Sequence, residues 1–133
     1  MTTLQWSEEF SVGNERIDFE HRIFYGLIND YRSARESNAP QDKLARILQE
    51  IALYAKFHFR SEENIMIDVG YPDVEKHRAQ HYSLIEVLNN KMLGLDMGSC
   101  SYQEVEDFLL VWFVQHVTRE DSKLSEFIRN DGS

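Results

Sequence analysis

Apolar positions recur along the chain in alternating steps of three and four, the period of a helix with one buried face. Ile17, His21, Phe24, Ile28 and Tyr31 fall on one such seam and predict a first helix over residues 18–37. Asn38, Ala39 and Pro40 stop it, with the next helix starting at Pro40 or Gln41. Leu44, Leu48, Ile51, Ala55, His58, Glu62 and Ile65 form the second seam, which runs to a natural helix end at Gly70. Pro72 opens a third helix on Val74, His77, His81, Leu84 and Leu88, and Gly94 and Gly98 bracket the loop that contains Cys100. Ser101 and Glu104 have the spacing of a capping box for a fourth helix, with Val105, Leu109, Trp112 and His116 facing inward. A short final helix with Leu124, Phe127 and Ile128 follows.

Residues 1–17, with Trp6, Phe10 and Val12, lack this period and are expected to lie as an extended arm over the helices. The fold class predicted is all-α, an antiparallel up-down-up-down four-helix bundle with that arm and a short C-terminal helix. Residues 1–133 are read as a single domain, with the bundle over 18–129 and a polar tail over 130–133. Two prolines and six glycines in 133 residues agree with long uninterrupted helices.

Polar residues interrupt these apolar seams in one pattern only. All five histidines lie on core seams, and alternating helix direction brings His21, His58, His77, His81 and His116 to the same end of the bundle. His58 and Glu62 are four apart, as are His77 and His81, so each pair shares a helix face. Five buried imidazoles need partners or they weaken the core through desolvation. A metal satisfies them together, and five imidazoles with carboxylates are more than one ion takes, so two metals are expected. Imidazole with carboxylate suits iron, zinc or manganese better than calcium or magnesium.

Other chemistries recede. A net charge of −9 argues against nucleic acid as a partner. Cys100 is the lone cysteine, which excludes an internal disulfide and a thiolate metal site. The longest apolar run, residues 108–114, is too short for a membrane span, and the first residues lack the blocks of a signal peptide, so a cytoplasmic location is the default expectation. Neither Glu-x-x-His nor His-Glu-x-x-His occurs. The oxygen-activating carboxylate bundles and the zinc proteases are built on those motifs.

The set His21, His58-x-x-x-Glu62, His77-x-x-x-His81 and His116-x-x-x-x-Asp121 resembles the hemerythrin family, in particular its bacterial members. So do Ile17-Asp18-x-x-His21, His58-Phe59-x-x-Glu62-Glu63 and Gly70-Tyr71-Pro72, and the likeness covers nearly the whole chain. Glu20 departs from the Gln common before that first histidine; the change bears on charge and hydrogen bonding near the site and removes no ligand.

The resemblance implies two non-haem iron ions with an oxo or hydroxo bridge, and O2 as the ligand of one of them. It implies that His77, His81 and His116 hold the coordinatively filled iron and that His21 and His58 hold the iron with an open position. Glu62 and Asp121 would bridge the pair. Around the open position an apolar pocket is expected, with Phe24, Phe59, Trp112, Phe113, Val117 and Leu124 as candidates.

Asp121 lies five residues beyond His116, whereas Glu120, at four, is the geometric favourite in a regular helix. A role for Asp121 therefore predicts a π-type turn or an early helix end. The function expected is reversible O2 binding for storage, delivery or buffering, without catalysis. The alternatives are an O2- or redox-sensing domain with a signalling partner or fused output domain, and an enzyme that consumes peroxide or nitric oxide.

Overall fold

The computed structural model describes Ser11 and residues 13–131, so the expected packing of Trp6, Phe10 and Val12 lies outside the described residues. Five α-helices account for nearly all of the described chain: α1 (Glu15–Glu36), α2 (Gln41–Val69), α3 (Val74–Met97), α4 (Tyr102–Gln115) and α5 (Ser122–Asp131). No strand occurs among the described residues. A π-helical turn, His116–Asp121, joins α4 to α5. No helix there is long and apolar enough to cross a membrane.

α1 packs on α2 and α4, α2 on α3, and α3 on α4, so the four long elements form a closed ring of neighbours. Cross-helix contacts set an antiparallel register. Tyr31 and Arg35, late in α1, meet Tyr102 and Glu106 at the start of α4, while His21, early in α1, meets Asp121. This is the up-down-up-down arrangement that the spacing predicts.

Several boundaries differ from the pattern-based reading. α1 begins at Glu15 rather than residue 18, because the Asn14 side chain accepts a hydrogen bond from the Ile17 N–H at 3.0 Å and caps the first turn. The arm assigned to 1–17 therefore gives its last three residues to the helix. α3 starts at Val74, two residues after Pro72. Gly94 lies inside α3 rather than in the loop, where a Cβ would stand 2.9 Å from the Cys100 Cβ. No loop separates the final helix from α4, and it extends through Asp131, past the start expected for the tail at residue 130.

Buried apolar side chains form two clusters. The larger runs the length of the bundle through Phe24, Ile28, Leu48, Ile51, Leu88, Leu109 and Phe113. The smaller, Ile17, Met66, Tyr71 and Leu124, closes the end where α2 turns into α3. Ile65, placed on the α2 seam by its spacing, is only partly buried, and Met66 takes the interior position. Far from that end, the buried carboxylate of Glu106 accepts from Arg35 at 2.7 Å and lies 3.7 Å from Arg32.

The α2–α3 turn rests on Gly70, whose φ of 74° lies in the left-handed region that closes a helix C-terminus. Gly70 and Tyr71 donate their N–H groups to Ile67 and Met66 carbonyls. A Cβ at Gly70 would meet nothing within 4 Å, so only backbone strain opposes a side chain there. Gly70→Ala should therefore destabilise the protein by about 1 kcal/mol without altering its helical content. Urea unfolding followed by circular dichroism checks this, and an unchanged midpoint would show that the turn tolerates the residue.

Candidate metal centre

Between the two apolar clusters lies one polar layer. His21 comes from α1, His58 and Glu62 from α2, His77 and His81 from α3, and His116 and Asp121 from the two ends of the π turn. All seven are buried, Glu62 and Asp121 completely. Their potential donor atoms fall into two groups, each within 4.8 Å: Glu62 with His77, His81, His116 and Asp121, and Glu62 with His21 and His58. All seven residues singled out in the sequence are thus brought together.

The two carboxylates each face both groups. Glu62 Oε1 lies 2.9 Å from His77 Nε2 and 3.1 Å from His81 Nε2, while its Oε2 lies 3.5 Å from the Nε2 atoms of both His21 and His58. Asp121 Oδ1 lies 2.8 Å from His77 and 3.1 Å from His116, and its Oδ2 lies 3.1 Å from His21. One oxygen of each carboxylate therefore serves the three-histidine side and the other the two-histidine side.

Asp121 reaches the layer because the π turn puts one extra residue into the helix after His116. Glu120 points elsewhere, to Lys123 at 3.3 Å.

Close as these contacts are, few are hydrogen bonds. Both Glu62 oxygens, Asp121 Oδ2 and both ring nitrogens of His21 are buried without an aligned partner. Four imidazole nitrogens stand within 3.5 Å of Glu62 yet none points its N–H along the line to an oxygen. Unpaired buried groups of this kind cost several kcal/mol. Donors that converge on shared points rather than on one another are what cations require, and nitrogen with oxygen donors fits a transition metal. The residues present fit such a group.

Two further carboxylates, whose function the helical period does not reveal, orient the histidines from behind. Glu20 Oε1 lies 2.9 Å from His58 Nδ1, and its Oε2 accepts from Ser61 at 2.9 Å and from Arg16 at 3.2 Å. Glu63 Oε2 lies 3.0 Å from His81 Nδ1, and its Oε1 accepts from Arg78 at 3.3 Å. Both contacts put a proton on Nδ1 and leave Nε2 free to face inward. A signal for Glu63 exists only as its place beside Glu62 in the motif. Its partner is on another helix.

The aromatic candidates divide by side. Phe24 lies 6.2 Å from the His58 ring and Phe113 lies 6.1 Å from the His21 ring, both edge-on. Phe59 stacks flat on His81 at 4.0 Å and Trp112 on His116 at 4.5 Å, so these two back the three-histidine side. Trp112 is only partly buried; Phe113 is the fully buried residue of α4 there. Val117 belongs to the larger apolar cluster and Leu124 to the smaller one.

A family model described as the Hemerythrin HHE cation binding domain matches residues 12–128. The chain belongs to the hemerythrin family. It is 31% identical over 122 residues to a bacteriohemerythrin of Clostridium acetobutylicum, an overlap of 87% of this chain and 94% of that one. A hemerythrin-like protein of Naegleria gruberi is 28% identical over 119 residues, covering 89% and 87% of the two chains. Among solved structures, a hemerythrin with a leucine-to-alanine substitution superposes with a TM-score of 0.86 at 23% identity, covering 96% of this chain and 98% of that one. That likeness establishes the hemerythrin bundle, and the family description makes the polar layer a cation-binding centre.

Without metal, the hemerythrin layer holds its charges internally. Burial alone would discourage protonation of His21 and His77, but Asp121 and Glu62 beside them reverse this and hold both at about 10. His81 is raised too, against burial, by Glu62 and Glu63. Burial pushes Glu62 and Asp121 up, and the surrounding imidazoles outweigh it and leave both well below the usual carboxylate range. The raised imidazoles stabilise the metal-free fold fully below their ordinary value of 6.5, and that stability is lost as pH climbs toward about 10. The lowered carboxylates stabilise it above about 4.5 and lose that effect in acid.

A metal displaces the imidazole protons, so binding strengthens as pH rises. The melting temperature of the metal-free protein should fall between about pH 6 and about pH 9 while the gap to the loaded protein widens. A gap that stays constant in paired thermal scans would refute this proton linkage.

Proposed function

We propose that this chain is a non-haem di-iron protein that binds O2 reversibly, with His77, His81 and His116 at one iron, His21 and His58 at the other, and Glu62 and Asp121 shared. One observation favours this reading above others: each of the two carboxylates turns one oxygen to the side of His77, His81 and His116, where it meets two imidazoles, and the other to the side of His21 and His58. Three histidines with two carboxylate oxygens make five donors on one side, and two histidines with two oxygens make four on the other. The shortfall leaves room for a small ligand on the His21–His58 side. When bound, the iron pair supplies the electrons that hold O2.

The chain's own residues set the conditions for release. Phe24 and Phe113 stand edge-on over the two histidines of the four-donor side and 5.7 Å from each other. They present carbon rather than water or a proton donor to that side. Apolar clusters above and below keep the layer dry, which raises the cost of separating charge there. Five imidazoles against two carboxylates form a donor set poorer in charge than a carboxylate-rich one, which supports binding over oxidative turnover.

Anaerobic reduction followed by air exposure tests the reading, with the visible spectrum recorded beside an iron assay. About two irons per chain and a band that forms in air and disappears under vacuum are expected. Immediate irreversible oxidation, or no iron, would overturn it. Phe24→Leu opens the four-donor side while removing less volume than alanine. It should speed loss of the oxygenated spectrum roughly tenfold with iron retained, about 1.4 kcal/mol of lost protection. Trp112→Phe alters a ring that stacks on His116, at 6.2 Å from Phe24, and should change that rate far less. Equal effects in the two variants would count against a gate at Phe24.

A further inference from the structure

The two sides of the centre are unequal in donors, and they are also unequal in how their histidines are held. On the four-donor side His58 is fixed at Nδ1 by Glu20, whereas neither ring nitrogen of His21 has an aligned hydrogen-bond partner. His21 depends instead on the helix that carries it, and Glu20 is the residue next to it on α1. Glu20 is also where α1 is fastened to α2. Its carboxylate joins His58 and Ser61, both of α2, and its backbone carbonyl accepts from Tyr54 of α2 at 2.8 Å. Arg16 completes the shell at the second carboxylate oxygen. One residue thus orients one histidine of this side directly and fixes the helix position of the other.

The three-histidine side has no such dependence. Glu63 orients His81 alone, and His77 and His116 come from α3 and the π turn with Asp121 between them at 2.8 and 3.1 Å. Phe59 and Trp112 stacked flat on His81 and His116 restrain those rings a second time.

Resting on the two-metal reading above, we infer that Glu20 is the positioning residue that decides whether the His21–His58 side retains its metal. Glu63 has the same chemistry and the smaller effect. Glu20 touches no metal-facing atom; it acts through the Nδ1–H of His58 and through the α1–α2 register. Removing outer carboxylates of this kind generally weakens metal binding about 10–100-fold. Here the loss should fall on one of two metals.

The experiment loads wild type, Glu20→Ala, Glu20→Gln and Glu63→Ala anaerobically with ferrous iron. Retained iron is counted after dialysis against a weak chelator, and the reduction potential of each loaded protein is measured. Wild type should keep about two irons and Glu20→Ala about one, with the second bound 10–100-fold more weakly. Glu63→Ala should lose less. Glu20→Gln keeps an acceptor for His58 and should restore the second iron, but without the negative charge its pair should reduce at a higher potential than wild type. That rescue with a changed potential is something a purely structural role would not produce.

Glu20→Ala holding both irons as tightly as wild type would overturn the inference while leaving the two-metal reading intact. So would Glu20→Gln losing as much iron as Glu20→Ala, or Glu63→Ala losing more. Wild type holding one iron or none would overturn the two-metal reading itself, and the inference with it.

Discussion

Seven ionisable side chains buried in one layer cannot be left to themselves. Two carboxylates and five imidazoles lie between apolar clusters, where an unmatched charge costs far more than any packing contact returns. Without metal, Glu62 and its carboxylate neighbours favour the protonated forms of His21, His77 and His81, and the layer holds ion pairs. The same layer gathers the donor atoms that could hold a metal. Every larger feature of the fold serves this layer: the antiparallel ring that brings four helices to one depth, the tight turn at Gly70 between the two paired-ligand segments, and the clusters that exclude water from both sides.

How much of this is legible in sequence depends on whether a feature lies within one helix or between two. Spacing within a helix places His58 beside Glu62 and His77 beside His81, and helix direction puts His21 and His116 at the same depth. Those relations need no tertiary information. Asp121 is different: spacing alone favours Glu120, the resemblance singles out Asp121 and so demands an irregular turn, and a π turn stands there. Rotations of one helix about its axis relative to another are a different matter. Trp112 and Phe113 are adjacent on α4, and only the packing of α1 and α3 against α4 decides that Phe113 takes the interior place. Position in sequence puts Glu20 and Glu63 near the site, but their partners His58 and His81 come from neighbouring helices and are not legible in it. Helix ends depend on single caps such as Asn14, and the unbroken passage from α4 to α5 is set by backbone conformation rather than by a stop signal.

Stability and chemistry are divided between the ends of the bundle. Opposite the polar layer, Glu106 is held by Arg35 and Arg32, and the Tyr31 hydroxyl donates to the Tyr102 carbonyl at 2.8 Å. These contacts tie α1 to α4 where no ligand is involved. The ring is therefore closed at one end by protein contacts alone and at the other by groups whose pairing changes with metal.

The π turn has an effect beyond aiming Asp121. In an uninterrupted α-helix the seam that passes through Leu109 and His116 would continue to Glu120 and Lys123, and a lysine would be driven toward Ile17, Met66 and Tyr71. One surplus residue rotates everything downstream by about 100°. Leu124 enters the apolar cluster instead, fully buried, and Lys123 stays in solvent. Ligand geometry and the phase of the last helix are thus fixed by the same backbone irregularity. The chain cannot regularise this helix to gain a hydrogen bond without misplacing a carboxylate and turning the apolar face of α5 outward together.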